Sequence, residues 1–187
     1  MLKRISTIVG NYAACRDPLA DVACKVALVV AFNQPLYPLY LHAILGVGAW
    51  PAWLTLFSTP FFVSIPAIAR RSSLVGRIIL PAVGVTNTTA CVKLFGISSG
   101  VELFLIPCAL LGAVLFRPTE RLSTLPILGL PFATYFLVDS WLGSPIMPTP
   151  LGQLWSVIAV NAMSVGTLTA LVGLLVVARF AALESER

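Results

Sequence analysis

The sequence predicts an all-α membrane protein, a bundle of six transmembrane helices with its N- and C-termini both on the cytoplasmic side. Composition is the first observation behind this: of 187 residues 58% are hydrophobic and 10% charged, whereas a soluble domain carries about 25% charged side chains. Length is the second. A spanning helix needs roughly 20 apolar residues, so the chain holds about six spans and almost no soluble domain. The third is the placement of charge, which punctuates the apolar stretches instead of forming a face.

Uninterrupted apolar stretches place spans at 26–46, 49–69, 78–95, 101–116, 125–142 and 154–178. This divides the chain into an N-terminal cytoplasmic or interfacial segment (1–24), a transmembrane domain (25–179) and the start of a cytoplasmic helix (180–187). Lys3, Arg4, Arg16, Lys25, Arg70, Arg71, Arg77, Arg117, Arg121, Arg179 and Arg187 then fall on one side and only Lys93 on the other. By the positive-inside rule the populated side is cytoplasmic, and an odd number of spans would break the pattern. The expected location is a bacterial inner membrane, crossed several times.

Near the start, Leu2, Ile5, Ile8, Val9 and Tyr12 share one side of a helical wheel, with Lys3 and Arg4 on another, as in a short interfacial helix. The first 16 residues lack the apolar core and cleavage pattern of a signal peptide, so this segment is expected to be retained. Trp50, Trp53, Trp141 and Trp155 fall near outer span ends as an aromatic belt. Pro35, Pro38, Pro60, Pro66, Pro81, Pro107, Pro126 and Pro131 lie inside spans, where each removes a backbone hydrogen bond and bends its helix. The halves of the chain show no internal repeat.

The net charge of +5 is not gathered into a basic run or face, which argues against nucleic acid as a partner. Cys15, Cys24, Cys91 and Cys108 have no C-x-x-C spacing and are expected to be free, small apolar residues. No Ser-His-Asp set, H-E-x-x-H helix, P-loop or G-x-G-x-x-G turn is present, so the chain itself is not expected to be an enzyme.

Polar side chains inside spans are costly and usually face the bundle interior. Asn33 and Gln34 lie mid-span in the first helix, Thr86, Asn87, Thr88 and Thr89 in the third, and Asn161, Ser164 and Thr167 in the sixth. Their ordinary use is hydrogen bonding between helices. Nearer the outer ends are His42, Lys93, Glu102 and Asp139, the expected ligand-binding residues. The imidazole and two carboxylates suit a divalent cation such as zinc or manganese, with Lys93 as a gate or an ion-pair partner of Glu102; the same groups could instead snorkel to the interface. Haem ligation through the lone His42, without a C-x-x-C-H motif, is the weakest of these readings.

The stretch Leu94-Phe95-Gly96-Ile97-Ser98-Ser99-Gly100-Val101-Glu102-Leu103-Phe104-Leu105-Ile106-Pro107, followed by Leu115-Phe116-Arg117-Pro118-Thr119-Glu120-Arg121, resembles the six-helix membrane modules of bacterial class III adenylyl cyclases, diguanylate cyclases and some sensor kinases. The segment from Arg179 to Arg187 looks like the start of the charged signalling helix that joins such modules to an output domain. The resemblance implies a sensory module that pairs as a homodimer in the lipid bilayer and acts on a cyclase or kinase domain, which would begin where this chain stops, unless the chain is a stand-alone relative of such modules. No position matches that family's catalytic residues. A small transporter or channel is the rival class, and a haem-binding membrane protein the lesser one. Gly166, Gly173, Val176, Phe180 and Leu183 form the expected dimer stripe on the sixth helix, continued by Arg187.

Overall fold

The computed structural model describes residues 2–185, with side chains from Thr7 onward. The described residues are almost wholly helical and include no strand. Four helical runs are long and apolar enough to cross a membrane: Pro18–Arg71, Ser73–Phe95, Arg121–Leu142 and Leu151–Ser185. A shorter apolar run covers Val101–Val114.

The chain opens with α1 (Leu2–Ala13), whose Val9 and Tyr12 pack against Ala20, Cys24 and Leu28 of α2 (Pro18–Asn33). Tyr12 donates a hydrogen bond to the Val63 carbonyl at 2.8 Å, and the Arg70 guanidinium lies 4.8 Å above its ring. The wheel positions Leu2 and Ile5 have no described side chains. α2 begins eight residues before the predicted span. Asp17 is its N-cap, accepting hydrogen bonds from the Leu19 and Ala20 amides, and Pro18 supplies the preset φ of a first helical position. The charges that obscured this start form an i,i+4 pair, Lys25 to Asp21 at 2.8 Å.

Pro35 and Pro38 interrupt the run, and α3 (Leu36–Leu45) continues it to Gly46, whose φ of 75° needs a residue without a Cβ. The chain then turns back through a 3-10 segment, Gly46–Ser58, packed along α3, and enters α4 (Thr59–Arg71) beside α2. The return is held by a short relay facing the proline break. Gln34 Nε2 donates to Ser58 Oγ at 2.6 Å, Ser58 to the Thr55 carbonyl at 2.9 Å, and Thr55 to the Ala52 carbonyl at 2.7 Å.

α5 (Ser73–Phe95) is the central helix, with buried residues along its whole length from Gly76 to Phe95. It crosses α4 closely: a Cβ on Gly76 would lie 2.6 Å from Ala69 Cβ and 2.8 Å from Ala69 Cα. The glycine turn at 96–100 leads through a 3-10 turn, Val101–Phe104, into α6 (Leu105–Val114). α7 (Arg121–Leu142) packs on α5 and α6 but buries only Pro131 and Val138, so it lies at the periphery. α8 (Leu154–Ser185) follows the 143–150 loop and packs on α2, α3 and α6. Arg187, the last position of the predicted dimer stripe, lies outside the described residues.

The two largest of four apolar clusters among the described residues fill most of the bundle. One joins α2, α4, α5, α6 and α8 around Val26, Phe62, Ile65, Leu80, Leu115 and Val172; the other joins α3, α5, α7 and α8 around Leu41, Phe95, Val101, Val138 and Val157. Each tryptophan of the expected belt is exposed, from 45% for Trp53 to 83% for Trp141.

Candidate functional site

A cavity of about 550 Å³ opens into the bundle, walled by α2, α3, α5, α6, α8, Phe62 of α4 and 3-10 segments. Small-ligand cavities are typically about 300–1,000 Å³. Each wall has a sequence-level cause. α8 contributes Val160, Met163, Ser164, Thr167, Leu168 and Leu171, the i, i+3, i+4 stripe of one helix face. α5 contributes Leu80, Gly84, Asn87, Thr88 and Cys91 at the same period. At Gly84 the helices are close: a Cβ there would come within 2.7 Å of Cys108 Sγ, so that side chain would have to move.

Six of the nine polar residues singled out mid-span line the cavity, and Thr86, Thr89 and Asn161 do not. Asn33, Gln34, Asn87, Thr88, Ser164 and Thr167 all line this one cavity, together with Tyr37, Tyr40 and Thr55. Interhelical hydrogen bonding, their ordinary role, accounts for few of them. Gln34 reaches Ser58, while Thr86 and Thr89 turn their hydroxyls back to the Ala82 and Val85 carbonyls of their own helix. Asn161 donates to the Ser99 carbonyl at 2.9 Å, and its side chain lies beside the buried Tyr37 hydroxyl. Asn33, Asn87, Thr88 and Ser164 make no side-chain hydrogen bond among the described residues, although Thr88 is only 3% exposed. Thr88 is buried, Asn87 and Ser164 are half-buried and Asn33 is exposed at the rim; apolar surroundings make an unpartnered amide or hydroxyl costly, so those that line the cavity mark a place for a polar ligand group.

The predicted outer site is not assembled. Among the described residues no three His, Cys, Asp or Glu side chains form a group that could hold a metal ion, so His42, Glu102 and Asp139 are not a ligand triad. His42 and Asp139 are exposed on α3 and α7. Glu102 is half-buried in the 3-10 turn, its Oε2 enclosed and unpartnered. None of the three lines the cavity. The spacing along separate helices placed them at one level without making them face one another. Lys93 does not pair with Glu102 among the described residues. Its Nζ donates to the Leu142 and Ser144 carbonyls at 2.8 Å each, closing the end of α7. Ile146 and Met147 donate backbone hydrogen bonds to the Lys93 and Leu94 carbonyls, which ties the 143–150 loop onto α5.

A second constellation escaped the sequence reading. Arg77, assigned there to an inter-helix gap, lies in the first turns of α5 and is 1% exposed. Its Nη1 and Nη2 donate to Glu120 Oε2 and Oε1, both at 2.7 Å. Nη1 also donates to the Leu115 carbonyl at 2.7 Å, and Nε to the Ser73 carbonyl at 3.3 Å. Asp17 Oδ2 accepts from the Ser73 hydroxyl at 2.6 Å and from Arg117 Nη2 at 2.8 Å, and lies 3.9 Å from Arg77. Hydrogen bonds from Arg77, opposed by burial and helped by the Arg117 amide, hold the Glu120 carboxyl below its ordinary range. Burial pushes Asp17 up, but the Ser73 hydroxyl, the Leu19 and Ala20 amides and the Arg77 charge together bring it below its ordinary value. The Asp-Pro pair and a lone Arg opening an apolar helix were the available signals.

Of the expected dimer stripe, Gly166 is exposed and Gly173 half-buried, and neither has an atom within 4 Å of where a Cβ would stand. Val176 packs on the bundle's own core, Leu183 is half-buried and Phe180 is 50% exposed.

No family model matches the chain, and neither a curated protein nor a solved structure shows detectable similarity to it.

Proposed function

We propose that the chain is a sensory module of a bacterial inner membrane, which receives a signal in the central cavity and passes it through α8 to a cytoplasmic output domain of cyclase or kinase type. One observation carries the reading: α8 is at once a wall of the cavity, through Val160 to Leu171, and a continuous helix that carries on from there to Ser185. A change in cavity occupancy therefore acts directly on the element that leaves the membrane. Asn161, about two turns into α8, is held to the Ser99 carbonyl, so a displacement at Ser164 or Thr167 is directed toward Ser185.

The topology proposed is six passes with both ends inside. The doubling back of Pro18–Arg71 supports two passes for that run, and Val101–Val114 supplies a short one. With four residues at about 2.0 Å and ten at about 1.5 Å, that run rises about 23 Å. Arg70, Arg71, Arg77, Arg117 and Arg121 sit toward the Arg77 end of α5 and Lys93 at the opposite end, about 24 Å away at 1.5 Å per residue, which favours the Arg77 end as cytoplasmic. The resemblance of the 94–107 and 115–121 stretches to cyclase and kinase membrane modules supports the same assignment. Transport is the rival, and it gains little from a cavity whose lining includes no Asp, Glu, Lys, Arg or His. Haem gains little from a single histidine that lies outside the cavity.

The test is to join residues 1–187 to an adenylyl cyclase catalytic domain in cyclase-deficient cells. Ser164→Phe, which fills the cavity from α8, is expected to change cyclic AMP output at least twofold at equal membrane level. Unchanged output with Ser164→Phe and with a second filling variant, Thr167→Phe, would overturn the reading.

A further inference from the structure

We propose that the cavity takes an uncharged single-chain amphiphile, with one hydrogen-bonding head group such as a hydroxyl, ketone or amide, and that this ligand enters sideways from the bilayer. The proposal rests on the cavity being the site of signal reception and adds the class of molecule received.

Charge is excluded by the walls. No acidic or basic side chain lines the cavity, so a ligand bearing a formal charge would be desolvated without a counter-ion. Most of the lining is aliphatic or aromatic, which suits an alkyl chain. The polar groups form a band contributed by three helices: Asn33 on α2, Asn87 and Thr88 on α5, and Ser164 on α8. These amides and hydroxyls donate and accept alike, and they have no other partner among the described residues. A neutral head group satisfies them, as a bare hydrocarbon would not. Phe62, Leu80 and Leu111 extend the cavity to one side of this band, and Val101 and Phe104 to the other.

The route follows from exposure. Thr88 and Cys91 at the back are buried, whereas Val29, Tyr40 and Met163 are exposed, Met163 to 73%. The mouth thus lies between α2–α3 and α8, on the flank of the bundle, where an apolar helix meets lipid instead of water. A molecule that partitions into the bilayer reaches it without crossing an aqueous phase.

The test uses the full chain in liposomes and a dodecanol carrying a chain diazirine, with labelled residues located by mass spectrometry. Labelling is expected on the α5 and α8 walls, with 1-dodecanol competing at least tenfold better than dodecane, dodecanoate or dodecyltrimethylammonium at equal bilayer mole fraction. In Asn87→Leu the advantage of dodecanol over dodecane is expected to fall at least fivefold, and Ser164→Phe is expected to abolish labelling. Competition blind to the head group would mean that a phospholipid acyl chain fills the groove, and would overturn the ligand class while leaving reception by the cavity intact. Absence of wall labelling would also overturn it. If the cyclase fusion is then also indifferent to Ser164→Phe, the sensory reading falls with it.

Discussion

Arg77 and Glu120 meet in a two-pronged ion pair, both N–H···O distances 2.7 Å, although one residue opens α5 and the other closes the turn before α7. The pair is unequal: Arg77 is 1% exposed and Glu120 17%. Loss of Glu120 leaves the buried Arg77 with two backbone carbonyls and the more distant Asp17 as its only counter-charge among the described residues, whereas loss of Arg77 leaves a carboxylate that can still reach water. Glu120→Ala should therefore cost on the order of 3 kcal/mol. Arg77→Met paired with Glu120→Gln should cost less than the two single changes added together. Unfolding curves for the four proteins in bicelles give the coupling, and strict additivity would count against a direct pair.

The same cluster sets a pH limit. Glu120 and Asp17 have folded-state values held below their ordinary 4.5 and 3.8. A lowered carboxylate contributes stability above the unfolded value and loses it as pH falls through the folded one. Stability should then be nearly level between about pH 5 and 7 and fall below about pH 4. The Asp17→Asn and Glu120→Gln double variant keeps a capping side chain at Asp17, so it should lower stability at pH 7 and flatten the acid slope. An unchanged acid slope in that variant would remove the cluster as its cause.

Much of this architecture is legible in the sequence because apolar length is the physical requirement for crossing hydrocarbon: the predicted 125–142 and 78–95 segments lie within α7 and α5. The start of α2 was missed because Asp21 and Lys25 interrupt the apolar run, and only the fold shows them paired. The 3-10 return through Gly46–Ser58 has no periodic signature, since its packing along α3 defines it. The cavity was half legible. Burial cost marked Asn33, Asn87 and Ser164 as inward-facing, but their meeting at one cavity depends on how three helices rotate about their axes. For the same reason His42, Glu102 and Asp139, alike in depth, do not form a metal group.

Close helix crossing gives another measurable contrast. At Gly76 an added methyl would collide with the Ala69 backbone, while at Gly166 it would meet nothing within 4 Å. Gly76→Ala should lower stability by about 1–3 kcal/mol. Gly166→Ala should be neutral or raise it by up to about 1 kcal/mol through helix propensity. Thermal unfolding of both variants checks this, and equal effects would mean that α4 and α5 are not in close contact at Ala69.

Lys93 holds the 143–150 loop through the Leu142 and Ser144 carbonyls. Lys93→Met removes both charge-assisted bonds and should cost about 2 kcal/mol. The local effect should be larger than the global one. Faster hydrogen exchange is expected at the Ile146 and Met147 amides, which bond to the neighbouring Lys93 and Leu94 carbonyls. Exchange at these two amides no faster than in the wild type would show that the backbone bonds alone close the loop.

A homodimer, which the resemblance to cyclase and kinase membrane modules implies, would use the exposed positions of α8. Gly166 has open space around it, Phe180 is half exposed and Leu183 lies seven residues beyond Val176, one heptad along a seam. Val176 already packs on its own core. A partner helix would therefore approach over Gly166 and Gly173 in the apolar region and over Phe180 and Leu183 beyond it. Single cysteines at Leu183 and Phe180, in a background with Cys15, Cys24, Cys91 and Cys108 replaced, should crosslink in native membranes. A cysteine at Val176 should crosslink less, because its side chain is engaged within its own bundle. Gly166→Ile should cut crosslinking at Leu183 severalfold by holding the helices apart, although the same change has no neighbour to disturb within one chain. Crosslinking at Leu183 that is indifferent to Gly166→Ile would confine any contact to the extension past the bundle, and no crosslinking at either Phe180 or Leu183 would exclude α8 as the seam.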